Sequence, residues 1–213
     1  MQLIAMLTML IDHIGVVFFP EDSSWRIIGR LAFPLYAYLL VQGYHRTRNI
    51  KKYMVRLSLL AIIAQLPFSL LFSTWELNAI VTLWVGLLTI YALDVAPRRV
   101  EWKFAIVAGA VFVSLLIPFD YGIYGLLLIL IYRYAPQKLW LVWHLALNII
   151  IGLLLFGWVI QQFSIFSTIL LVYMPLVVNQ LEKSSVPRWL WRSFYPAHLA
   201  VLWVLQQVML HLL

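Results

Sequence analysis

Met1-Gln-Leu-Ile-Ala-Met-Leu-Thr-Met-Leu-Ile-Asp-His-Ile-Gly-Val-Val-Phe-Phe19 opens the chain, and its only ionisable side chains, Asp12 and His13, lie well inside it. A helix needs about 20 mostly apolar residues to cross a bilayer core, so the segment is long enough to span. A charged side chain near the bilayer centre costs about 2.5–3.5 kcal/mol on insertion scales. An acid and an imidazole at that depth therefore read as a functional site with partners elsewhere in the chain. No small-residue cleavage site follows, so the segment is expected to be a retained helix and not a signal peptide.

The rest of the chain has the same character. Of its 213 residues 64% are apolar and 11% charged, with a mean hydropathy of +0.95. Soluble domains are about 45–50% apolar and 25% charged. The expected fold is all-α: one polytopic transmembrane helix bundle covering residues 1–213. The apolar segments are Met1–Phe19, Trp25–Tyr44, Tyr53–Phe72, Asn78–Val95, Lys103–Pro118, Tyr121–Tyr134, Leu139–Phe156, Ser164–Leu181 and Phe194–Leu213, about nine spans, with a weakly marked turn at Phe156-Gly157.

Charge orients these spans. Every Lys and Arg except Arg26 and Arg30 falls in the alternate loops 45–56, 96–103, 133–138 and 183–192, or at their edges. The positive-inside rule then places the N-terminus in the cytoplasm and the C-terminus outside. The net charge of +7 records this topology and does not point to nucleic acid. Trp25, Trp75, Trp102, Trp140, Trp158, Trp189 and Trp191 fall near span ends, as interfacial anchors would. The absence of cysteine excludes thiolate metal sites and a cysteine thioester intermediate. No nucleotide-binding loop, serine-hydrolase elbow or metal-spaced His/Glu pair is present, and no metal is expected.

The same topology assigns depths. Asp12, His13, Arg30, Asn78 and Asp120 share a level toward the outer side. Adjacent helical residues diverge by about 100°, so Asp12 and His13 cannot both face one point. Asp12 is expected to pin Arg30, leaving His13 to Asp120 or Asn78. Pro34 removes the amide that would bond the Arg30 carbonyl, so a kink is expected there. Gly15 and Gly29 allow helices to approach closely at this level. A second polar set, Asp94, His144 with Asn148, and Tyr195 with His198, is read on the cytoplasmic half. His144 suits an interhelical hydrogen bond. His198, beside the carbonyl freed by Pro196, is the better functional candidate of the two. The loop with Arg46, Arg48, Lys51, Lys52 and Arg56 either records topology and lipid contact or clamps phosphate at a cytoplasmic mouth.

Leu10-Ile-Asp-His-Ile-Gly15, Ile28-Gly-Arg-Leu-Ala-Phe-Pro34, Leu40-Val-Gln-Gly43, Gln65-Leu-Pro-Phe68, Asp120-Tyr-Gly122 and Tyr195-Pro-Ala-His198 resemble the TraX family over nearly the whole chain. Gln42 and Gln65 depart from the pattern, which commonly has acidic residues at or near them. The resemblance implies membrane-embedded acetyl transfer from acetyl-CoA, and the family's name-giving member is associated with N-terminal acetylation of a conjugative pilin. The family is more distantly similar to the heparan-α-glucosaminide N-acetyltransferases, which use a histidine in an early span and pass acetyl across the membrane.

On that resemblance acetyl-CoA is the expected co-substrate. Its phosphates would lie near Arg46, Arg48, Lys51, Lys52 and Arg56, with Tyr195 and His198 on the cofactor path. His13 would be the general base or acetyl carrier, Asp12 or Asp120 would hold its tautomer, and Arg30 or Asn78 would face the oxyanion. The acceptor would be an amine or hydroxyl of a peptide, pilin, glycan or lipid, in a bacterial plasma membrane. The competing readings are a small transporter or channel whose polar cluster relays protons or ions, and a non-catalytic assembly factor glued by Asp12 and Arg30.

Overall fold

A computed structural model describes residues 1–154, 158–183 and 186–212, without the side chain of Trp158. The described residues are helical, with no strand among them. The helices are α1 (Gln2–Phe18), α2 (Ser23–Gly29), α3 (Ala32–Arg46), α4 (Ile50–Phe72), α5 (Ala79–Val95), α6 (Val100–Leu116), α7 (Gly122–Tyr134), α8 (Trp140–Leu154), α9 (Ile165–Tyr173), α10 (Pro175–Lys183) and α11 (Arg188–Leu212). The turn expected at Phe156-Gly157 lies outside the described residues.

Local chemistry sets these boundaries. Asn49 and Asn78 cap α4 and α5 through their side chains, each accepting from a first-turn amide. Asp22 caps α2 in the same way, and the Ser24 amide holds its carboxyl below the usual carboxylate range. Pro20, Pro97, Pro118 and Pro136 follow the ends of α1, α5, α6 and α7 closely, where a missing amide cannot continue the helix.

Two expected spans are broken. The segment Trp25–Tyr44 divides into α2 and α3 at Arg30-Leu31, four residues before Pro34, where the kink was expected. The segment Ser164–Leu181 bends by 90° at Met174, so α9 and α10 do not form one rod. Among the described residues, two stretches are long and apolar enough by themselves to cross a membrane, Ile50–Phe72 and Gln137–Leu154, with the bent pair as a third if it counts as one span. Helices α1, α5 and α7 are apolar but shorter.

Helices α1, α3, α4, α5, α7 and α11 form the centre of the bundle. One apolar cluster joins α3, α5 and α7 through Phe33, Leu87, Leu128 and Ile129. A second joins α1, α4 and α11 through Met9, Ala64, Phe68 and Leu199. The outer faces are also apolar; Leu59, Ile62, Ile63 and Leu66 of α4 are largely exposed. In lipid, such faces give helices no hydrophobic reason to associate, so tight packing and polar contacts must hold the bundle together.

Buried polar contacts are accordingly plentiful. His144 is fully buried and bonds Tyr124, Ser164 and Thr168, tying α8 to α7 and α9 as an interhelical clasp. Asp94 accepts from Tyr44, Arg133 and Tyr134, joining α3, α5 and α7 at a partly exposed end. Asp94, His144 and His198 thus belong to three separate groups and not to one polar set. Trp140 is likewise a core residue, buried and bonded to the Ala135 carbonyl, whereas Trp75, Trp102 and Trp189 are exposed as anchors would be.

Two glycines permit the closest packing. A Cβ on Gly15 would overlap Trp25, and one on Gly29 would overlap the side chain of Asp12. Gly29→Leu is therefore expected to destabilise the protein by about 1–3 kcal/mol, as overpacking does. Gly109→Ala in α6 is the control, since its Cβ meets nothing within 4 Å. Thermal unfolding of both variants in detergent checks the contrast.

Candidate functional site

Asp12 sits nearly two turns before the end of α1, facing α2 and the break before α3. Arg30 donates from Nη2 to both of its carboxylate oxygens, at 3.0 and 3.1 Å, and Arg26 donates from Nη1 at 2.8 Å. Arg30 also reaches Gln161 at 3.1 Å. Arg26 and Arg30 are four apart on one helical turn and so share a face. That spacing was the available sign of Arg26, which the sequence reading left unassigned. Gln161 carried no such sign; it arrives from a 3-10 turn, Trp158–Ser164, distant in sequence.

His13 has a different partner from those expected. Its Nδ1 lies 2.8 Å from Nε2 of His198, and the two rings are nearly parallel at 5.0 Å. Nδ1 of His198 lies 2.7 Å from the Phe194 carbonyl. A carbonyl only accepts, so His198 carries its proton on Nδ1 and presents a lone pair at Nε2. His13 must then donate from Nδ1, which leaves its Nε2 as a base with no hydrogen bond among the described residues. Phe72 and Tyr195 pack edge-on against the His13 ring and fix its plane.

Neither Asp120 nor Asn78, then, is the partner of His13, and neither Asp12 nor Asp120 holds its tautomer. His198 is also not a groove residue of the cytoplasmic half. The expected span began at Phe194, but α11 begins at Arg188, which moves His198 about 9 Å deeper along the helix.

These groups surround a cavity of about 250 Å³. Asp12, His13, Arg26, Arg30, Glu76, Asp120 and Tyr195 line it, so Asp12 and His13 share one cavity wall despite their angular separation. Asp120 is placed by a stitch between two loops. Leu77 donates to the Pro118 carbonyl at 3.0 Å and accepts from the Asp120 amide at 2.8 Å. The next residue, Tyr121, is held at φ 64°, a costly left-handed conformation for a non-glycine residue.

Asn78 does not face this cavity. Its Oδ1 accepts from Ile80, and its Nδ2 donates to the Ala61 carbonyl and to Gln65, which satisfies the side chain. It is a cap that fixes the start of α5. Gln65 completes the arrangement by also accepting from the Asn78 amide and donating to the Glu76 carbonyl.

A second cavity of about 850 Å³ runs between α3, α4, α5 and α11. Arg46, Arg56, Arg188 and Arg192 line its wide end, and apolar residues such as Phe33, Leu57, Leu60 and Leu83 line its length. Arg48, Lys51 and Lys52 are exposed and do not line it, because the α4 cap turns them outward. Arg188 and Arg192 take their place, supplied by the first turns of α11. The two cavities open toward opposite ends of α4, one beside Tyr53–Ile63 and the other beside Phe68–Glu76. They share Met9, Ala79 and Tyr195 as a common wall.

Comparison with known proteins places this architecture. A family model described as TraX protein matches residues 1–206. The chain is 27% identical over 232 aligned positions to the probable fimbrial assembly protein FimC, serogroup H1, of Dichelobacter nodosus, covering 95% of this chain and 92% of that protein. It is 28% identical over 92 positions to the uncharacterized protein RP591 of Rickettsia prowazekii (strain Madrid E), covering 43% of this chain and 35% of that one. No solved structure matches.

The side chains of Asp12 and Arg30 are only 8% and 13% exposed. Removing one partner of such a buried pair strands the other charge, at a cost of about 3–5 kcal/mol. Asp12→Ala should lower the denaturation midpoint in detergent far more than Asp120→Ala, whose carboxylate makes no ion pair among the described residues.

Proposed function

The chain belongs to the TraX family, and on that premise we propose that it transfers acetyl groups from cytoplasmic acetyl-CoA to an amine or hydroxyl acceptor across a bacterial plasma membrane. Its helices form a single multi-pass unit of about nine spans with the N-terminus in the cytoplasm, as the alternation of basic loops requires. The observation that carries this reading is the pair of cavities that open toward opposite ends of the bundle and meet at Met9, Ala79 and Tyr195.

The larger cavity suits acetyl-CoA. Its volume lies within the range of small-molecule sites, about 300–1,000 Å³. Arg56, Arg188 and Arg192 offer planar forks for the phosphates of the co-substrate, beside Arg46, which is paired with Glu182. Its apolar length admits the pantetheine arm, which ends the thioester at the shared wall. The smaller cavity admits the acceptor from the other side. The fimbrial assembly relative brings a pilus subunit into consideration; a peptide, a glycan or a lipid headgroup offers the same nucleophile chemistry.

The chemistry then follows from the tautomers. His13 Nε2 takes the proton of the incoming amine or hydroxyl as its heteroatom attacks the thioester carbonyl carbon. His198 accepts from His13 Nδ1 and keeps the ring in that tautomer, so the positive charge that develops on His13 is shared with a neighbour bonded to the Phe194 carbonyl. Collapse of the tetrahedral intermediate breaks the C–S bond, and the CoA thiolate takes the proton back from His13. A transient acetyl-imidazole at the same Nε2 is the two-step version of this path. The arginines around Asp12 hold the two helix ends of the site together.

Purified protein in lipid nanodiscs, given acetyl-CoA and a short peptide with a free amino terminus, tests the reading through thiol release. His13→Ala should lose at least about 10²-fold in turnover while still binding acetyl-CoA. His198→Ala should also slow turnover, and Arg188→Ala with Arg192→Ala should raise the KM for acetyl-CoA with little change in kcat. Full turnover by a folded His13→Ala protein, or failure of the wild type to bind acetyl-CoA, rejects the proposal.

A further inference from the structure

Neither residue that the sequence offered for the oxyanion brings a free donor to the shared wall: Arg30 keeps Nε open but lines only the smaller cavity. The side chain of Asn78 is fully engaged. The Nη groups of Arg30 are held by Asp12 and Gln161. The acyl carbonyl at the shared wall therefore needs other donors.

Two donors stand at that wall. Tyr195 is 5% exposed, and its hydroxyl makes no regular hydrogen bond among the described residues. Such a buried hydroxyl costs stability unless something bonds it, so one left open at a cavity wall marks a place for a ligand. It lies beside the amide of Ala79, the first residue of α5. In that first turn Ile80 donates to Asn78 Oδ1 and Val81 turns back to the Asn78 carbonyl. The Ala79 amide has neither of these partners and points to the Tyr195 hydroxyl oxygen. It sits at the positive end of a 17-residue helix, where backbone amides favour negative charge.

We infer that the Tyr195 hydroxyl, its oxygen oriented by the Ala79 amide, is the oxyanion donor of the acetyl transfer. This inference rests on the reading of the protein as an acetyltransferase. Tyr195 and Ala79 belong to both cavities, so the hydroxyl faces a carbonyl delivered from the basic groove while the acceptor reaches it from the His13 side. His13 and Tyr195 pack edge-on with ring centroids 6.5 Å apart, so base and donor are neighbours on the lining of the smaller cavity. As the nucleophile adds, the carbonyl π electrons move to oxygen, and the O⁻ gains a bond from the Tyr195 hydroxyl, whose oxygen the Ala79 amide holds. When the C–S bond breaks, the C=O re-forms and that bond weakens. Gln65 and Asn78 act as positioning residues, since they fix the turn that presents the Ala79 amide.

The decisive variant is Tyr195→Phe, which deletes the donor and keeps the ring. In the nanodisc assay with acetyl-CoA and the free-amino peptide, its kcat should fall about 10²–10³-fold, as for loss of one oxyanion donor elsewhere. Its acetyl-CoA Kd should stay within about twofold of wild type. Ala79→Pro is the second variant. Proline is tolerated at the first position of a helix and removes only the amide, and Asn78 already has the extended backbone that precedes proline (φ −67°, ψ 164°). It should lower kcat with Kd preserved. Tyr195→Phe activity within threefold of wild type, or a loss seen only in Kd, overturns the oxyanion hole while leaving the acetyltransferase reading intact. A wild-type protein that neither binds acetyl-CoA nor releases thiol overturns both.

Discussion

The carboxylate of Asp12 is the constraint on which the rest of the site depends. It sits in an apolar segment, where a lone charge is costly, so it needs cations close at hand. Arg26 and Arg30 supply them from the turn that follows α1, and Gly29 lets that turn approach closely enough for both to reach. The break between α2 and α3 then follows from Arg30 and Pro34 together: the guanidinium must stay at the level of Asp12, and the proline releases the carbonyl ladder there. Two ends of chain are thereby locked beside α11, and His13 comes to rest on His198.

This arrangement divides labour between adjacent residues. Asp12 organises helices and arginines, and His13 carries the free imidazole nitrogen. Both line one cavity, yet the hydrogen bonds of each lead away from the other. The His13–His198–Phe194 chain sets a tautomer without any carboxylate, so the ring is held by neutral groups. A carboxylate in that place would pin the imidazolium more strongly and make its proton harder to return to a leaving group.

The two-cavity layout makes sense of features that otherwise look unrelated. Of the basic residues of the alternate loops, only Arg46, Arg56, Arg188 and Arg192, on α3, α4 and α11, line the groove. The Gln65–Asn78 contacts and the Leu77–Phe119 bridge look like loop packing. They hold the start of α5 and the Asp120 corner against the wall where the cavities meet.

The sequence by itself determined the helical class, most helix boundaries, the common level shared by Asp12, His13, Arg30 and Asp120, the Asp12–Arg30 pairing and the kink before Pro34. These follow from hydropathy, from proline and asparagine chemistry and from the cost of burying charge, all of which act locally or along one axis. The sequence could not decide which polar group meets which across the bundle, because rotation about a helix axis and the true start of a helix are set by packing. Six residues added to the front of α11 moved His198 from an assumed cytoplasmic position to the side of His13. Only the tertiary structure turned Asn78 into a cap, put Arg188 and Arg192 in place of Arg48, Lys51 and Lys52 along the groove, and left the Tyr195 hydroxyl open at the common wall. The physical reason is that depth is a property of one helix, whereas a contact is a property of two.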